Sequence, residues 1–259
     1  MQNQSNIRSL LLIATASVMY GQAQQPVPKA TEVMELAEKA LGGDAFFNPK
    51  PYRVTLKTTG YDPSGDKTYN RVDNYKNGKH HIEQTVLGKS TDGFPVTVYT
   101  KSITDIAKRE TWVWNSHEES GDYKKGRAWP RVIPIQYMNI RAWKDMVIFD
   151  PVTVVAQDGK EYYRFEVKYK DPKQSHWRIT YLIDTKTHLV YKMEFVNTKD
   201  STKAIHTYTN YTRVGGIMVP KKIAEETTGP GLKQYYEHNI SKFEFANDIP
   251  DSLFVVPKK

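Results

Sequence analysis

A mainly β protein built on one antiparallel sheet follows from three observations in the 259-residue sequence. Apolar side chains recur at every second position in two successive runs, Trp177, Ile179, Tyr181, Ile183 and then Leu189, Tyr191, Met193, Phe195, which is the period of half-buried strands. Short polar or glycine-containing turns separate these runs and most of their neighbours. Only two segments carry helical spacing, so crossover helices for a parallel sheet are missing.

Taken in order, the chain starts with Arg8 and an apolar run over residues 9–19, followed by the small residues Gly21 and Ala23 around Gln22. The run has signal-peptide length and is short for a spanning helix. Residues 1–23 are therefore expected to be a cleaved export signal and residues 24–259 a single domain. The sequence has no cysteine, hence no disulfide and no thiol for lipid attachment. A soluble periplasmic protein without stable membrane insertion is expected.

A helix is predicted over residues 31–41, capped by Thr31 with Glu32 in its first turn and Lys39 in its last. Val33, Leu36, Ala37, Ala40 and Leu41 form its apolar stripe, and Gly42-Gly43 ends it. Residues 48–51, Asn-Pro-Lys-Pro, form a stiff connector. Strands are expected at 52–59, 68–75, 80–87, 96–101 and 111–115, separated by turns such as Lys76-Asn77-Gly78. Residues 117–134 are polar or irregular, and 135–146 have a loose helical register. Strands return at 149–156 and 161–169 around Gln157-Asp158-Gly159, a strong hairpin signal. The two alternating runs and the strands at 204–213 and 217–223 make a four-stranded meander, with Gly215-Gly216 at its last turn. Pro220 lacks the N–H of a ladder and is expected at an edge, a bulge or a strand end. A last strand spans 233–245, and 247–257 is an extended tail. A single sheet of roughly ten strands must curl.

Composition narrows the function. The formal charge is +8, but the lysines are scattered singly over strands and turns, which describes a solubilising surface rather than a nucleic-acid interface. The chain has no nucleophile elbow, phosphate loop or zinc-helix motif. His80 and His81 are adjacent on a strand and point to opposite faces. His117, His176, His188, His206 and His238 lie on separate elements, although the fold can still bring His206 and His238 together. Glu118-Glu119 and Asp62 with Asp66 fall short of a calcium ligand set. No catalytic residue, metal ligand or cofactor site is assigned. Two tripeptides, starting at Asn210 and Asn239, match the glycosylation sequon.

Aromatic residues make up 12% of the chain, and their placement is the strongest functional signal. Trp112, Trp114, Trp129, Trp143, Trp177, Tyr181, Tyr191, Met193, Phe195, Phe243 and Phe245 are expected on one sheet face. Two readings fit: a plain core under the helices, or a curved face too large for them, leaving an apolar cavity for an adaptable guest. In the second reading Val33, Leu36 and Ala40 from the helix and Trp112, Trp114, Trp177, Tyr181, Tyr191, Met193 and Phe195 from the sheet line the cavity.

Four stretches carry a family resemblance. They are the export signal with the helix ending Ala40-Leu41-Gly42-Gly43, the run from Leu182 to Val190, the run from Tyr211 to Pro220, and the ending Ile249-Pro250-Asp251-Ser252-Leu253-Phe254. Together they resemble the LolA-like/RseB-like superfamily of periplasmic lipoprotein carriers, in particular the outer membrane lipoprotein-sorting type, most clearly over residues 160–256. The resemblance implies a strongly curved antiparallel half-barrel closed by short helices, a lipid or lipoprotein acyl chain held in its hollow, envelope proteins as partners, no cofactor and no enzymatic activity. The basic residue that helps govern cargo release in such carriers has no counterpart in a matching motif here. Two other classes remain open: an envelope regulatory module that binds a protein, and an envelope enzyme or metal protein assembled from scattered histidines and carboxylates.

Overall fold

The computed structural model describes residues 26–63, 65–89, 93–105, 108, 110–116, 124–127, 147–173 and 175–256. The expected export signal, the helix at 135–146, Trp129, Trp143, His117 and the Glu118-Glu119 pair lie outside the described residues.

Helix α1 runs Ala30–Leu41 and a short α2 runs Asp44–Phe47. The strands are β1 Tyr52–Asp62, β2 Gly65–Lys76, β3 Lys79–Lys89, β4 Pro95–Asp105, β5 Glu110–Asn115, β6 Lys124–Arg127, β7 Val147–Phe149, β8 Thr153–Gln157, β9 Lys160–Tyr169, β10 Trp177–Asp184, β11 Val190–Asn197, β12 Thr202–Val214, β13 Ile217–Gly229 and β14 Leu232–Phe245. All fourteen, among the described residues, belong to one antiparallel sheet in the order β6-β5-β4-β3-β2-β1-β14-β13-β12-β11-β10-β9-β7, with β8 also on β9. Nearly every neighbour is a sequence neighbour joined by a hairpin. The exceptions are β7, which pairs with β9, and β1, which pairs with β14 from Tyr52↔Phe245 onward and so welds the two halves of the chain into one sheet. The sheet does not close on itself, and its shape is that of a curved half-barrel.

Turn chemistry explains the hairpins. Asn77 with Gly78, Asp158 with Gly159, and Gly215 with Gly216 all have positive φ at both central positions, the geometry whose twist matches that of the flanking strands. The expected strand at 149–156 is instead two, β7 and β8, which cover successive parts of the β9 edge. Pro151 lies between them and has no N–H to continue a ladder. Pro220 lies within β13 opposite Tyr211 of β12, whereas the β13–β14 pairing begins at Lys222. Pro220 is therefore paired on one side only, next to an irregularity in the β12–β13 ladder at Asn210, which has positive φ.

Helix α1 starts one residue earlier than expected. Its N-cap is Lys29, whose backbone N–H donates to Glu32 Oε2 at 3.0 Å, so Thr31 is already inside the helix. The buried stripe is Ala30, Val33, Met34, Ala37 and Leu41, a slightly rotated version of the expected one. Leu36 and Ala40 lie half-buried on its flank. Gly42 ends the helix at φ +125, and a Cβ there would stand 2.9 Å from both Gly216 O and Ile217 Cα. The helix end is thus held against the β12–β13 turn at a distance only glycine permits.

The α1 stripe shares one core with Tyr52, Val54 and Leu56 of β1, Phe165 and Val167 of β9, Ile179, Tyr181 and Ile183 of β10, and with inward residues of β11 to β14. We call this the inner face of the sheet. The chain end is not simply extended: Asp251–Phe254 forms a 3-10 turn that packs on β3 and β4. Lys76 Nζ holds it, donating to Ile249 O at 2.9 Å and pairing with Asp251 Oδ1 at 2.8 Å. Ala246, Ile249 and Phe254 form a small second core beneath it.

Candidate binding face

Directly opposite residues of antiparallel neighbours share a face, so the register traces the inner face rung by rung. One rung runs Phe165↔Tyr181↔Met193↔His206↔Glu225↔Tyr236↔Gly60 across β9 to β14 and β1. It begins apolar and ends polar. Phe165, Tyr181 and Met193 are buried, the first two stacked with ring centroids 5.5 Å apart. Phe195, on the next rung, packs at 5.2 Å between centroids against the His206 ring. Val33, Tyr181 and Met193 thus lie inside the shared core, whereas Phe195 and Trp177 are half-buried on the same face.

Three of the expected lining residues face the other way. Trp112 is opposite Ile103 and Trp114 opposite Lys101, while the inner face of β4 carries Thr100, Ser102 and Thr104. Trp112 instead lies beneath Lys125 Nζ, 5.9 Å from its ring centroid. Tyr191 follows from a bulge: Leu182 pairs with Lys192 but Ile183 pairs with Val190, so Tyr191 is the extra residue. It stacks on Tyr162 at 4.7 Å and its hydroxyl donates to Asp158 Oδ2 at 3.3 Å, on the outer side.

Beyond the apolar part, the inner face carries two polar groups of side chains. In the first, Glu225 Oε2 lies 3.4 Å from His238 Nε2 and Glu225 Oε1 lies 3.9 Å from His206 Nε2, with His238 Nδ1 at 2.7 Å from Thr58 Oγ1. The two histidines that the sequence placed on separate elements therefore meet at one carboxylate. Burial lowers the His206 pKa; Glu225 opposes that and His238 reinforces it. Next to this group Tyr236 lies over Gly60, where a Cβ would stand 2.6 Å from its ring, and its hydroxyl donates to Asp62 Oδ2 at 2.9 Å. In the second group Asp73 accepts from His80 Nδ1 at 3.1 Å and from Arg71 at 3.2 Å, fully buried. No group of three or more histidine or carboxylate side chains is arranged to hold a metal ion among the described residues.

An open depression of about 450 Å³ lies elsewhere, over Thr55, Lys57, Asn70, Glu83, Thr85 and Tyr99. The register puts these residues on the outer face. Hydroxyls and charges from Thr55, Lys57, Glu83, Thr85 and Tyr99 stand around it, and the accessible wall between them is largely apolar.

No protein-family model and no curated protein matches the chain. Solved structures do. A LolA superfamily protein from Nitrosomonas europaea superposes with a TM-score of 0.56 at 14% identity, over 88% of this chain and 98% of that one. The fold is LolA-like. A putative outer membrane lipoprotein-sorting protein domain from Vibrio parahaemolyticus gives a TM-score of 0.52 at 12% identity over 86% and 96% of the two chains. A DUF1329 family protein from Desulfovibrio piger gives 0.56 at 11% identity over 89% and 98%. At such identities the likeness concerns architecture, not residues. Within the LolA-like frame, the side chains that the sequence did not single out are Glu225, Tyr236, Asp73 and Arg71. Asp73 and Arg71 meet His80 across the β2–β3 hairpin, and Glu225 meets its histidines across β12–β13–β14. The contacts of His238 with Thr58 and of Tyr236 with Asp62 cross the β1–β14 pairing, for which no local sequence signal exists.

Proposed function

We propose that this protein is an exported periplasmic carrier that holds the acyl chain of a lipid or lipoprotein against the inner face of its half-barrel, without enzymatic activity. One observation supports this most: the inner face continues past the α1 stripe through Phe195 and Trp177, apolar side chains left half-buried where a finished core would cover them. The LolA-like fold, shared with a lipoprotein-sorting domain, supports the same reading by architecture. So does the apolar run at residues 9–19, which fits export. Among the described residues no helix is long and apolar enough to cross a membrane. Each CH₂ of a guest chain buried there contributes about 0.8 kcal/mol, so even partial insertion binds usefully.

The two faces supply the experiment. Phe195→Lys places a charge on the inner face and is expected to abolish binding of the neutral apolar probe N-phenyl-1-naphthylamine. Tyr191→Lys places the same charge on the outer face and is expected to leave binding within about twofold, as surface substitutions do. Circular dichroism confirms that both variants fold. Equal binding by the two folded variants, or no probe binding by the wild type, overturns the proposal.

A further inference from the structure

Tyr181 combines three properties that fit poorly with a purely structural role. Its side chain has no exposed surface. It stands among Phe165, Ile179, Ile183 and Met193 on the inner face. Its hydroxyl has no hydrogen-bond partner among the described residues. A buried hydroxyl without a partner destabilises the fold by an amount comparable to a lost hydrogen bond, and native cores hold few of them. Phenylalanine would stack on Phe165 equally well without that cost. Burial also raises the phenol pKa far above its ordinary value, so the group is always O–H and always a donor. The Tyr169 phenol is its one polar influence besides burial and does not bond to it, so a donor held ready in this mostly apolar surround is matched by an acceptor that arrives from outside.

We infer that Tyr181 is a ligand-binding residue of the inner face and donates its hydroxyl to the carbonyl oxygen of an ester- or amide-linked acyl chain. The inference rests on the proposed function and sharpens it, because it separates acyl ligands from plain hydrocarbon chains. Tyr181 is closed off in this structure, so the bond forms only as the guest displaces the side chains that cover the ring. The hydroxyl is already stripped of water before the guest arrives. A carbonyl therefore adds a hydrogen bond without a matching desolvation cost on the protein side.

The test is competition against N-phenyl-1-naphthylamine, using wild type and Tyr181→Phe with three cationic ligands of similar length below their micelle concentrations. Lauroylcholine carries an ester, N-lauroyl-lysinamide an amide, and tetradecyltrimethylammonium no carbonyl. Tyr181→Phe is expected to bind the carbonyl-bearing ligands about five- to tenfold more weakly, to bind tetradecyltrimethylammonium as the wild type does, and to resist urea at least as well. A loss confined to the ester points to a lipid as the natural ligand, and a loss confined to the amide points to an acylated polypeptide; either supports the inference. If Tyr181→Phe binds all three like the wild type, weakens all three equally, or is itself less stable, the hydroxyl has a structural role and the inference fails while the carrier reading stands. If the wild type does not bind the naphthylamine probe, both fall together.

Discussion

Asp73 is the residue whose environment departs most from that of a surface carboxylate. Burial alone pushes its pKa up, but His80 and the Arg71 guanidinium outweigh burial and hold it below the ordinary carboxylate value. The folded state thus binds that proton less readily than the unfolded chain does. The corresponding stability is fully present above the unfolded carboxylate pKa, near 4, and is lost as pH falls through the folded value. Removing one partner of such a group strands the other charge inside, which costs about 3–5 kcal/mol where it has been measured. Asp73→Asn keeps the shape and removes the charge, so at pH 7 its urea midpoint should correspond to a loss of that order. At pH 3 the gap between variant and wild type should narrow, because the unfolded wild-type chain then takes up the proton that the folded state resists. A gap that stays constant between the two pH values would show that shape, not charge, matters at this position.

Among the elements, α1 depends most on its neighbours, since twelve residues make a helix that is marginal alone. Its stripe and its glycine stop were legible in residues 30–43, because helical spacing and C-terminal glycines are local signals. The β10–β13 meander was legible for the same reason: the alternation within each strand, the polar turns between them and the paired positive-φ turn at Gly215-Gly216 are local signals. Tyr191 was not, because a bulge shows in the pairing of two strands and not in the alternation of one. The helix end makes a testable contrast. Gly42→Ala must accommodate a Cβ 2.9 Å from Gly216 O and Ile217 Cα at φ +125, whereas Gly43→Ala, at φ +57, meets nothing within 4 Å. The first should destabilise by about 2–3 kcal/mol and the second by about 1 kcal/mol. Hydrogen exchange should show faster amides over residues 30–41 in Gly42→Ala, with β10 to β12 still protected. Equal effects of the two alanines would mean that the contact with the β12–β13 turn does not hold the helix.

At the scale of the whole molecule, the pairing of β1 with β14 decides which side chains of the two halves meet, and no short stretch announces it. The alternation of Trp112 and Trp114 with Val113 was plain, but their face is set through β4, β3 and β2 back to β1, so they were expected on the wrong side. The opposite orientations of His80 and His81 needed only the strand period and were read correctly. The resulting two-sidedness has a consequence for acid stability. His206 is buried on the inner face beside Glu225 and His238, and His81 on the outer face between Glu83, Lys101 and the C-terminal tail. Burial is the largest influence on each and lowers both pKa values, against the opposing pull of Glu225 on His206 and of Glu83 on His81. A histidine with a lowered folded pKa takes up its proton more readily when unfolded. Its stabilising contribution is complete above about pH 6.5 and declines as pH falls from there toward the folded value, by at most about 1.4 kcal/mol per pH unit for each ring. This window lies above the one in which Asp73 acts, so the two can be separated. Urea midpoints should fall between pH 7.5 and 5 in the wild type, fall less in His206→Phe or His81→Phe, and level off in the double variant. A double variant whose midpoint declines as steeply as the wild type would show that neither buried ring governs stability in that range.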